Sequence, residues 1–364
     1  MKKIFSTLAF LIFATSCANT TDERFQIGLK KIWDEYFEES YNDTRAMSIL
    51  VVTNRKSKGD SFTCDDRQTS TNLDDKLKFG ICRINVPKNH TTGEIVFAKD
   101  ARQSSNDYFK ILDAKSSDEK TFIKYLKHSK RTPLIFVHGF NVRYQEALLR
   151  ASQIAYDLKY QGPIILFTWP AGAGDSFIDN TLLNKTYESN LSSAKASTNL
   201  FKNFLLNLQK NNIRANLLVH SMGHQVVIPA LKELGEIKNS QPIINELVLN
   251  APDFDAAEFV NLAQNIKPTS KRVTVYCSYN DKAMLASKTF NKSDRLGACT
   301  FMENLDTINI SLIDDSIFGL GHGYYSSRII LNDVFQVLLG IDADKRLFIK
   351  KSEPNSTEKY FLRL

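Results

Sequence analysis

Ser221 stands in the segment "ANLLVHSMGHQVV" (residues 215–227), where an apolar, β-rich run is followed directly by a helical pattern. A sharp strand-to-helix reversal holds a serine in a strained conformation with its hydroxyl exposed, as a nucleophile requires. The reversal also leaves the backbone N–H of Met222 at a helix N-terminus, where it can stabilise an oxyanion. Gly223 supplies the small residue of such a turn, whereas Val219 replaces the first glycine of the usual G-x-S-x-G signature.

A serine hydroxyl is a weak nucleophile, so it needs a general base, and that base needs an acid to orient it. His322 is the candidate base because it lies in a glycine-flanked loop, "FGLGHGYY", late in the chain. Asp281, in "YCSYNDKAM", directly follows an apolar run and is the candidate acid, with a helix N-cap as its alternative role. Asp253, with Asp255 close behind it in "LNAPDFD", is the alternative acid. The chain order Ser, Asp, His is the one that α/β hydrolases use.

The segment "LIFVHGFN" supplies a second oxyanion donor, the backbone N–H of Phe140. His138 in this segment and His220 beside the serine are predicted to be structural, holding their loops by hydrogen bonds. Trp169, in "FTWPAGAG", is either a wall of the pocket or a core residue, and the sequence does not choose between the two.

The elements that must position these residues show a regular alternation. Continuous apolar, β-rich runs occupy residues 133–137, 163–169, 215–220, 245–251 and 272–278, and helical patterns lie between them. Such runs are typical of strands covered on both faces of a parallel sheet. We therefore predict an α/β fold, a doubly wound, mostly parallel sheet with helices on both faces. Ligand sites in such sheets lie at the carboxyl ends of the strands, where the candidate residues fall.

The N-terminal part of the chain predicts elements that flank this sheet. They are an amphipathic helix over 23–41, strands over 47–55, 79–87 and 94–100, a polar loop over 56–75, and a helix from Ser116 to about His128 that opens on a capping box with Glu119. We predict domain boundaries that give a signal peptide (1–16), a linker with the amphipathic helix (17–46), the α/β domain (47–340) and a C-terminal tail (341–364).

Composition narrows the class of partner. The 364 residues carry 47 Lys and Arg against 40 Asp and Glu, a net charge of +7, and the basic residues are scattered. This pattern favours a solvated, mildly basic surface over nucleic-acid binding. No C-x-x-C pair occurs, which argues against a structural zinc site, and the candidate residues imply neither a metal nor a cofactor. Oligomeric state is not readable from the sequence.

The first residues, "MKKIFSTLAFLIFATSCANT", resemble an export signal: two lysines, an apolar stretch too short to span a bilayer, then small residues. "ATSC" resembles a bacterial lipobox, in which Cys17 becomes the lipidated first residue, although Ala14 stands where leucine is usual. The alternative is ordinary cleavage after Ala18. We expect an exported protein, anchored by lipid to the bacterial envelope, with Ala18 favouring the outer membrane.

Export changes how the other four cysteines are interpreted. Cys64, Cys82, Cys277 and Cys299 form an even set, for which an oxidising compartment allows three disulfide connectivities. Locality favours Cys64–Cys82 and Cys277–Cys299, and four buried free thiols are the alternative.

Several motifs in order carry a resemblance to a known family. They are "FVHGFN", "ASQIAYDL", "FTWPAGAG", "HSMG", "LNAPDFD", "VTVYCSYNDKAM" and "RLGAC", with "FGICRINVPKNHTTGE" upstream. Over about residues 47 to 335 the chain resembles the bacterial α/β-hydrolase family catalogued as domain of unknown function 900. The resemblance implies an α/β-hydrolase fold and a Ser-Asp-His triad at Ser221, Asp281 and His322. It implies no substrate, and Val219 departs from the small residue usual before "HSMG".

Three functions fit these residues. The leading hypothesis is an envelope-anchored serine hydrolase that cleaves carboxylic esters of small molecules or lipids through an acyl-enzyme. An acyltransferase would use the same residues with an acceptor other than water. A binding or scaffold lipoprotein on a hydrolase fold that has lost catalysis is the third, because a fold does not dictate a function.

Overall fold

The computed structural model describes residues 45–59, 62–100, 102–172, 180–237, 241–302, 305–313, 322–353, 356 and 358–363. The predicted signal peptide, the lipidation site Cys17 and the amphipathic helix over 23–41 lie outside these residues. None of the helices that the structure describes is both long enough and apolar enough to cross a membrane.

Eleven strands form one sheet in the order β10-β11-β9-β8-β7-β6-β4-β5-β1-β2-β3. Their bounds are β1 Ala46–Ser57, β2 Thr69–Asn85, β3 Lys110–Ser117, β4 Leu134–Val137, β5 Ile164–Thr168, β6 Ala215–His220, β7 Ile244–Asn250, β8 Ser270–Cys277, β9 Asp306–Asn309, β10 Ile349–Lys351 and β11 Tyr360–Leu362. Every pair from β11 across to β1 is parallel, whereas β10 with β11, β1 with β2 and β2 with β3 are antiparallel. The mostly parallel sheet confirms the predicted fold class.

The described helices cover the two faces of this sheet. They are α1 Glu119–His128, α2 Tyr144–Asp157, α3 Asn180–Lys210, α4 His224–Gly235, α5 Ala256–Ile266, α6 Lys282–Asn291 and α7 Arg328–Leu338. Consecutive residues of β4 alternate between two hydrophobic clusters: Ile135 and Val137 belong to one, Leu134 and Phe136 to the other. Both faces of the strand are therefore buried, which is why its sequence is continuously apolar.

The N-terminal region differs from its predicted elements. β2 begins at Thr69, inside the predicted polar loop, because its first half extends the β1 hairpin and carries mostly exposed side chains without an apolar pattern. Residues 94–100 form no strand; they make one bridge, Phe97 with Phe109. The predicted capping box at Ser116 is wrong, because Ser116 lies in β3 and Asp118 caps α1 through a hydrogen bond from the Thr121 N–H.

The C-terminal segment joins the sheet. Residues 341–364, predicted as a tail, supply β10 and β11, and β11 pairs in parallel with β9 through Tyr360 and Ile308. The side chains of Tyr360 and Leu362 are buried in the core. Short edge strands of this kind carry too few residues for a readable alternation, so their pairing follows from the sheet edge that is available.

Two disulfides tie loops to the sheet, and they are the pairs that locality favours. Cys64 is bonded to Cys82 in β2, and Cys277 at the end of β8 is bonded to Cys299. Cys277 lies four residues before Asp281 in the chain, so the second disulfide fixes the segment that leads to this candidate acid.

Candidate active site

The turn at Ser221 has the conformation of a nucleophile elbow. β6 ends at His220, residues Ser221–Gly223 form a short 3-10 turn, and α4 follows at once. Ser221 has φ +50°, a left-handed conformation that non-glycine residues adopt rarely and at a cost. Val219 is fully buried in the core, so the elbow forms with valine at the position that usually holds glycine.

Two glycines make room for this turn. A Cβ on Gly223 would lie 2.5 Å from the carbonyl oxygen of His138, so only glycine allows the elbow to approach the end of β4. A Cβ on Gly139 would lie 2.7 Å from the Cβ of Ser221 and 3.1 Å from Nδ1 of His220. The Ser221 and His220 side chains therefore both lie against Gly139.

The two predicted oxyanion donors lie in segments that adjoin Ser221. Met222, which is fully buried, lies in the turn that precedes α4, where the first N–H groups have no intrahelical acceptor. Phe140 follows Gly139 at the end of β4, and its ring lies 5.7 Å from that of Tyr187, measured between centroids. Both backbone N–H groups belong to segments that adjoin the serine.

Asp281 and His322 are brought together by the fold. His322 Nδ1 lies 2.7 Å from Oδ2 of Asp281, whose side chain is fully buried. The other oxygen, Oδ1, accepts a hydrogen bond of 3.0 Å from the N–H of Met284 and so caps α6. The carboxylate thus has both of the roles considered for it, the N-cap and the partner of the histidine.

The imidazole of His322 lies beside the elbow. Its ring centroid is 4.6 Å from that of His220, the residue that precedes Ser221. Tyr324, two residues further on, directs its hydroxyl toward Oδ2 of Asp281 at 3.4 Å. Tyr324 was not predicted from the sequence, although its place two residues after the histidine in "GHGYY" was a signal for it.

Asp253, the alternative acid, has different partners. Its Oδ1 accepts a hydrogen bond of 2.5 Å from Ser287, and its Oδ2 accepts one of 2.9 Å from the hydroxyl of Tyr187. The guanidinium of Arg295 lies 3.7 Å from Oδ1. Asp253 is buried in a hydrogen-bond network that does not include His322. The backbone N–H of Asp253 does contact the carbonyl oxygen of Ser221, at 3.4 Å. Asp255, its neighbour, caps α5.

The other histidines of the rim are held neutral by burial. His138 hydrogen-bonds Thr168 through Nε2 and stacks on Trp169, and burial, with the nearby charge of Arg55, lowers its pKa to about 3. Trp169 is fully buried and donates to the carbonyl oxygen of His138, so it is a core residue. Burial also lowers the pKa of His220 well below its usual value.

His224 binds the elbow from its other side. Its Nδ1 lies 2.6 Å from the carbonyl oxygen of Ser221, and burial lowers its pKa to about 3. Since a neutral imidazole carries one N–H, Nδ1–H donates this bond. The interaction ties the serine backbone to the first turn of α4.

A cavity of ≈ 660 Å³ adjoins the site. Its lining includes Gly139, His220 and His322 together with Arg150 from α2 and Tyr324. Sequence reasoning missed Arg150, because nothing in the helical pattern of α2 distinguishes a cation facing a cavity from one facing solvent. Among the described residues, no group of three or more His, Cys, Asp or Glu has the arrangement of a metal site.

One comparison with known proteins identifies the family. No curated protein and no solved structure matches the chain. The family model described as "Alpha/beta hydrolase of unknown function (DUF900)" matches residues 114–340, which is more than half of the chain and includes β4 to α7. The sheet order and the strand-turn-helix at Ser221 agree with that description. The chain belongs to the α/β-hydrolase family DUF900.

Proposed function

We propose that the protein is a serine hydrolase that cleaves carboxylic esters, with Ser221 as nucleophile, His322 as general base and Asp281 as the orienting acid. The observation that carries the proposal is the 2.7 Å contact between His322 Nδ1 and the buried carboxylate of Asp281, next to a serine in a strained elbow. A carboxylate that accepts the Nδ1–H of a histidine fixes the tautomer in which Nε2 is the basic nitrogen that takes up a proton.

The proposed reaction has two stages. His322 Nε2 takes the hydroxyl proton as Ser221 Oγ attacks the acyl carbon, and the same proton then goes to the leaving alkoxide, which departs as an alcohol. In the second stage His322 takes a proton from water as the water oxygen attacks the acyl carbon, and that proton then goes to Ser221 Oγ as the acyl-serine bond breaks and the acid is released. The N–H groups of Phe140 and Met222 stabilise the oxyanion in both stages; removal of one such donor costs about 10²–10³ in rate.

Location is part of the proposal. Two disulfides support an oxidising compartment, since such bonds are rare in the cytosol. We propose an exported protein that is anchored to the bacterial envelope through lipid on Cys17. Mass spectrometry of the mature protein should find a diacylglyceryl-modified Cys17 at its N-terminus, whereas a free Asn19 terminus would exclude the anchor.

A fluorophosphonate probe tests the nucleophile. The purified mature protein should be labelled covalently, and Ser221→Ala should abolish labelling, because the probe reacts with activated serines. Ser287→Ala is the matched control, since both serines are 5% exposed and only Ser221 lies on the elbow. The control should label as the wild type does.

Absence of labelling in the wild type, with the fold intact by circular dichroism, would favour the scaffold alternative. Transfer of the acyl group to an added alcohol in preference to water would favour the acyltransferase. Both results can be obtained from the same preparation.

A further inference from the structure

The cavity beside His322 is apolar over much of its wall. It lies between α2, the segment 95–99 and the loop 322–326, and its apolar side chains are Ile95, Phe97, Phe136, Val142 and Leu149. Pockets of this size hold drug-sized ligands, with most of the contact from apolar groups and a few polar groups setting specificity. A bound ester would therefore place part of its structure against these side chains.

Among the residues that the structure describes, one cation in this wall, Arg150, has no carboxylate bound to it. The Arg150 guanidinium donates two hydrogen bonds to described residues, both from Nη1, to the carbonyl oxygen of Gly93 at 3.1 Å and to Oε1 of Gln153 at 2.7 Å. Within the described part of the chain, Nε and Nη2 make no hydrogen bond and Arg150 forms no ion pair. Burial lowers the pKa of Arg150 to about 10, so its charge is poorly solvated.

Asp157, the acid whose charge acts on Arg150, is already bound by other groups. Asp157 receives the imidazole of His90 at 2.7 Å on Oδ1, and the N–H of Gly93 at 2.8 Å and the amide of Gln153 at 2.5 Å on Oδ2. It acts on Arg150 only through its longer-range field. Because Asp157 is bound by these partners, the desolvated guanidinium of Arg150 still has N–H donors that can bind a ligand.

The other charged residues in the described lining of the cavity do not cancel the charge of Arg150. The carboxylates of Asp66 and Glu146 accept hydrogen bonds from the N–H groups of Gln145 and Arg143, so they are directed at the start of α2. Arg143 and Lys99 also line the cavity and add positive charge.

We propose that this cavity binds an anionic oxygen group, a carboxylate or a phosphate, that is carried by the ester substrate, and that Arg150 is the residue that selects it. The inference rests on the proposed hydrolase function and names the class of its substrate. A planar guanidinium with free N–H groups matches two oxygens of such an anion, and the apolar walls keep water from competing for it.

Two substrate pairs test the proposal and separate the two sources of charge. Mono-4-nitrophenyl adipate is compared with 4-nitrophenyl hexanoate for a carboxylate in the acyl group, and dibutyroylglycerol 3-phosphate with dibutyroylglycerol for a phosphate on the alcohol side. In at least one pair, the wild type should hydrolyse the anion with a kcat/KM ~10- to 100-fold higher, as expected for a charge-assisted hydrogen-bonded pair.

In the pair for which the wild type prefers the anion, Arg150→Met should bring the ratio of kcat/KM for the anionic ester to kcat/KM for the neutral ester down toward 1, mainly by raising KM for the anion. Arg150→Lys should restore part of this ratio. Arg131→Met is the control: Arg131 is also partly buried but lies at the opposite end of the strands, and this variant should keep the wild-type ratio. A wild type that shows no preference for the anion in either pair, or an Arg150→Met variant that retains the preference, would overturn the proposal.

Calorimetry with adipate and with glycerol 3-phosphate separates this failure from failure of the hydrolase function. Binding of either anion to the wild type and its loss in Arg150→Met would support the site even in a protein that the fluorophosphonate does not label. Labelling of Ser221 without anion binding or preference would keep the hydrolase and reject the anion site.

Discussion

Asp281 and Asp253 lie at the ends of neighbouring strands and are both buried, yet their surroundings differ in one decisive respect. Asp281 Oδ1 accepts a hydrogen bond from the N–H of Met284, in the helix that Asp281 caps. Its Oδ2 is bound to Nδ1 of His322, a residue of a distant loop. Asp253 has its oxygens on the hydroxyls of Ser287 and Tyr187 and lies near Arg295. Burial of a carboxylate at the rim of the sheet is therefore not what distinguishes the candidate acid; the chemical type of its partner is.

The two carboxylates also differ in what their hydrogen bonds do for the protein. A carboxylate that is held by hydroxyl donors stabilises the fold, because its hydrogen bonds replace the water that was lost. A carboxylate held by a backbone N–H on one side and an imidazole on the other can fix a ring orientation and stabilise the imidazolium that forms in a reaction. The comparison makes three predictions.

The largest effect is expected at Asp281. Asp281→Asn should lower kcat for ester hydrolysis by about 10³–10⁴, because an amide no longer favours the Nδ1–H tautomer of His322 or stabilises its charge. Steady-state kinetics would measure the loss, with whichever of the four esters named above the wild type hydrolyses with the highest kcat/KM. An equal or larger loss in Asp253→Asn would reverse the assignment of the acid.

At Asp253 the loss should appear in stability. Asp253→Asn replaces one acceptor oxygen by a donor that faces hydroxyls and Arg295, and an unsatisfied buried pair costs about 1–3 kcal/mol. Urea unfolding should show a lower midpoint, with a smaller loss of activity than in Asp281→Asn. Unchanged unfolding would mean that the Tyr187–Asp253–Ser287 network contributes nothing to the fold.

The smallest effect is expected at Glu246, a third buried acid of the sheet that extends the comparison. Its Oε2 has no hydrogen-bond partner among the described residues, and Nε of Arg272 lies 3.7 Å from it. Burial raises the pKa of Glu246 to about 7. The folded chain keeps this proton at pH values where the unfolded chain, with a pKa near 4.5, has lost it. Stability that is present below about pH 4.5 is therefore lost as the pH rises through about 7.

Glu246→Gln should remove this dependence and raise the free energy of unfolding at pH 8 by about 1–2 kcal/mol, with little change at pH 4.5. Calorimetric Tm values at the two pH values would measure it. The same difference between pH 4.5 and pH 8 in the variant and the wild type would show that Glu246 does not titrate in this range.

Much of the fold was predictable, because local patterns record it. The five apolar runs became β4 to β8, since strands buried on both faces must be apolar throughout. Predictions were weaker where that constraint is absent: β2 begins among polar residues, and β3, β9, β10 and β11 were not foreseen. Exposed or very short strands pair through backbone groups, which leave little trace in side-chain type.

For the candidate site, the sequence by itself determined the residue types and the strand ends: a serine between a strand and a helix, carboxylates after two strands, and a histidine in a glycine-flanked loop. Only the tertiary structure decided that Asp281 and not Asp253 meets His322, and that Arg150 lines the neighbouring cavity. The physical reason is distance along the chain. Asp281 and His322 are 41 residues apart, and contacts of that kind depend on how the whole sheet brings its loops together.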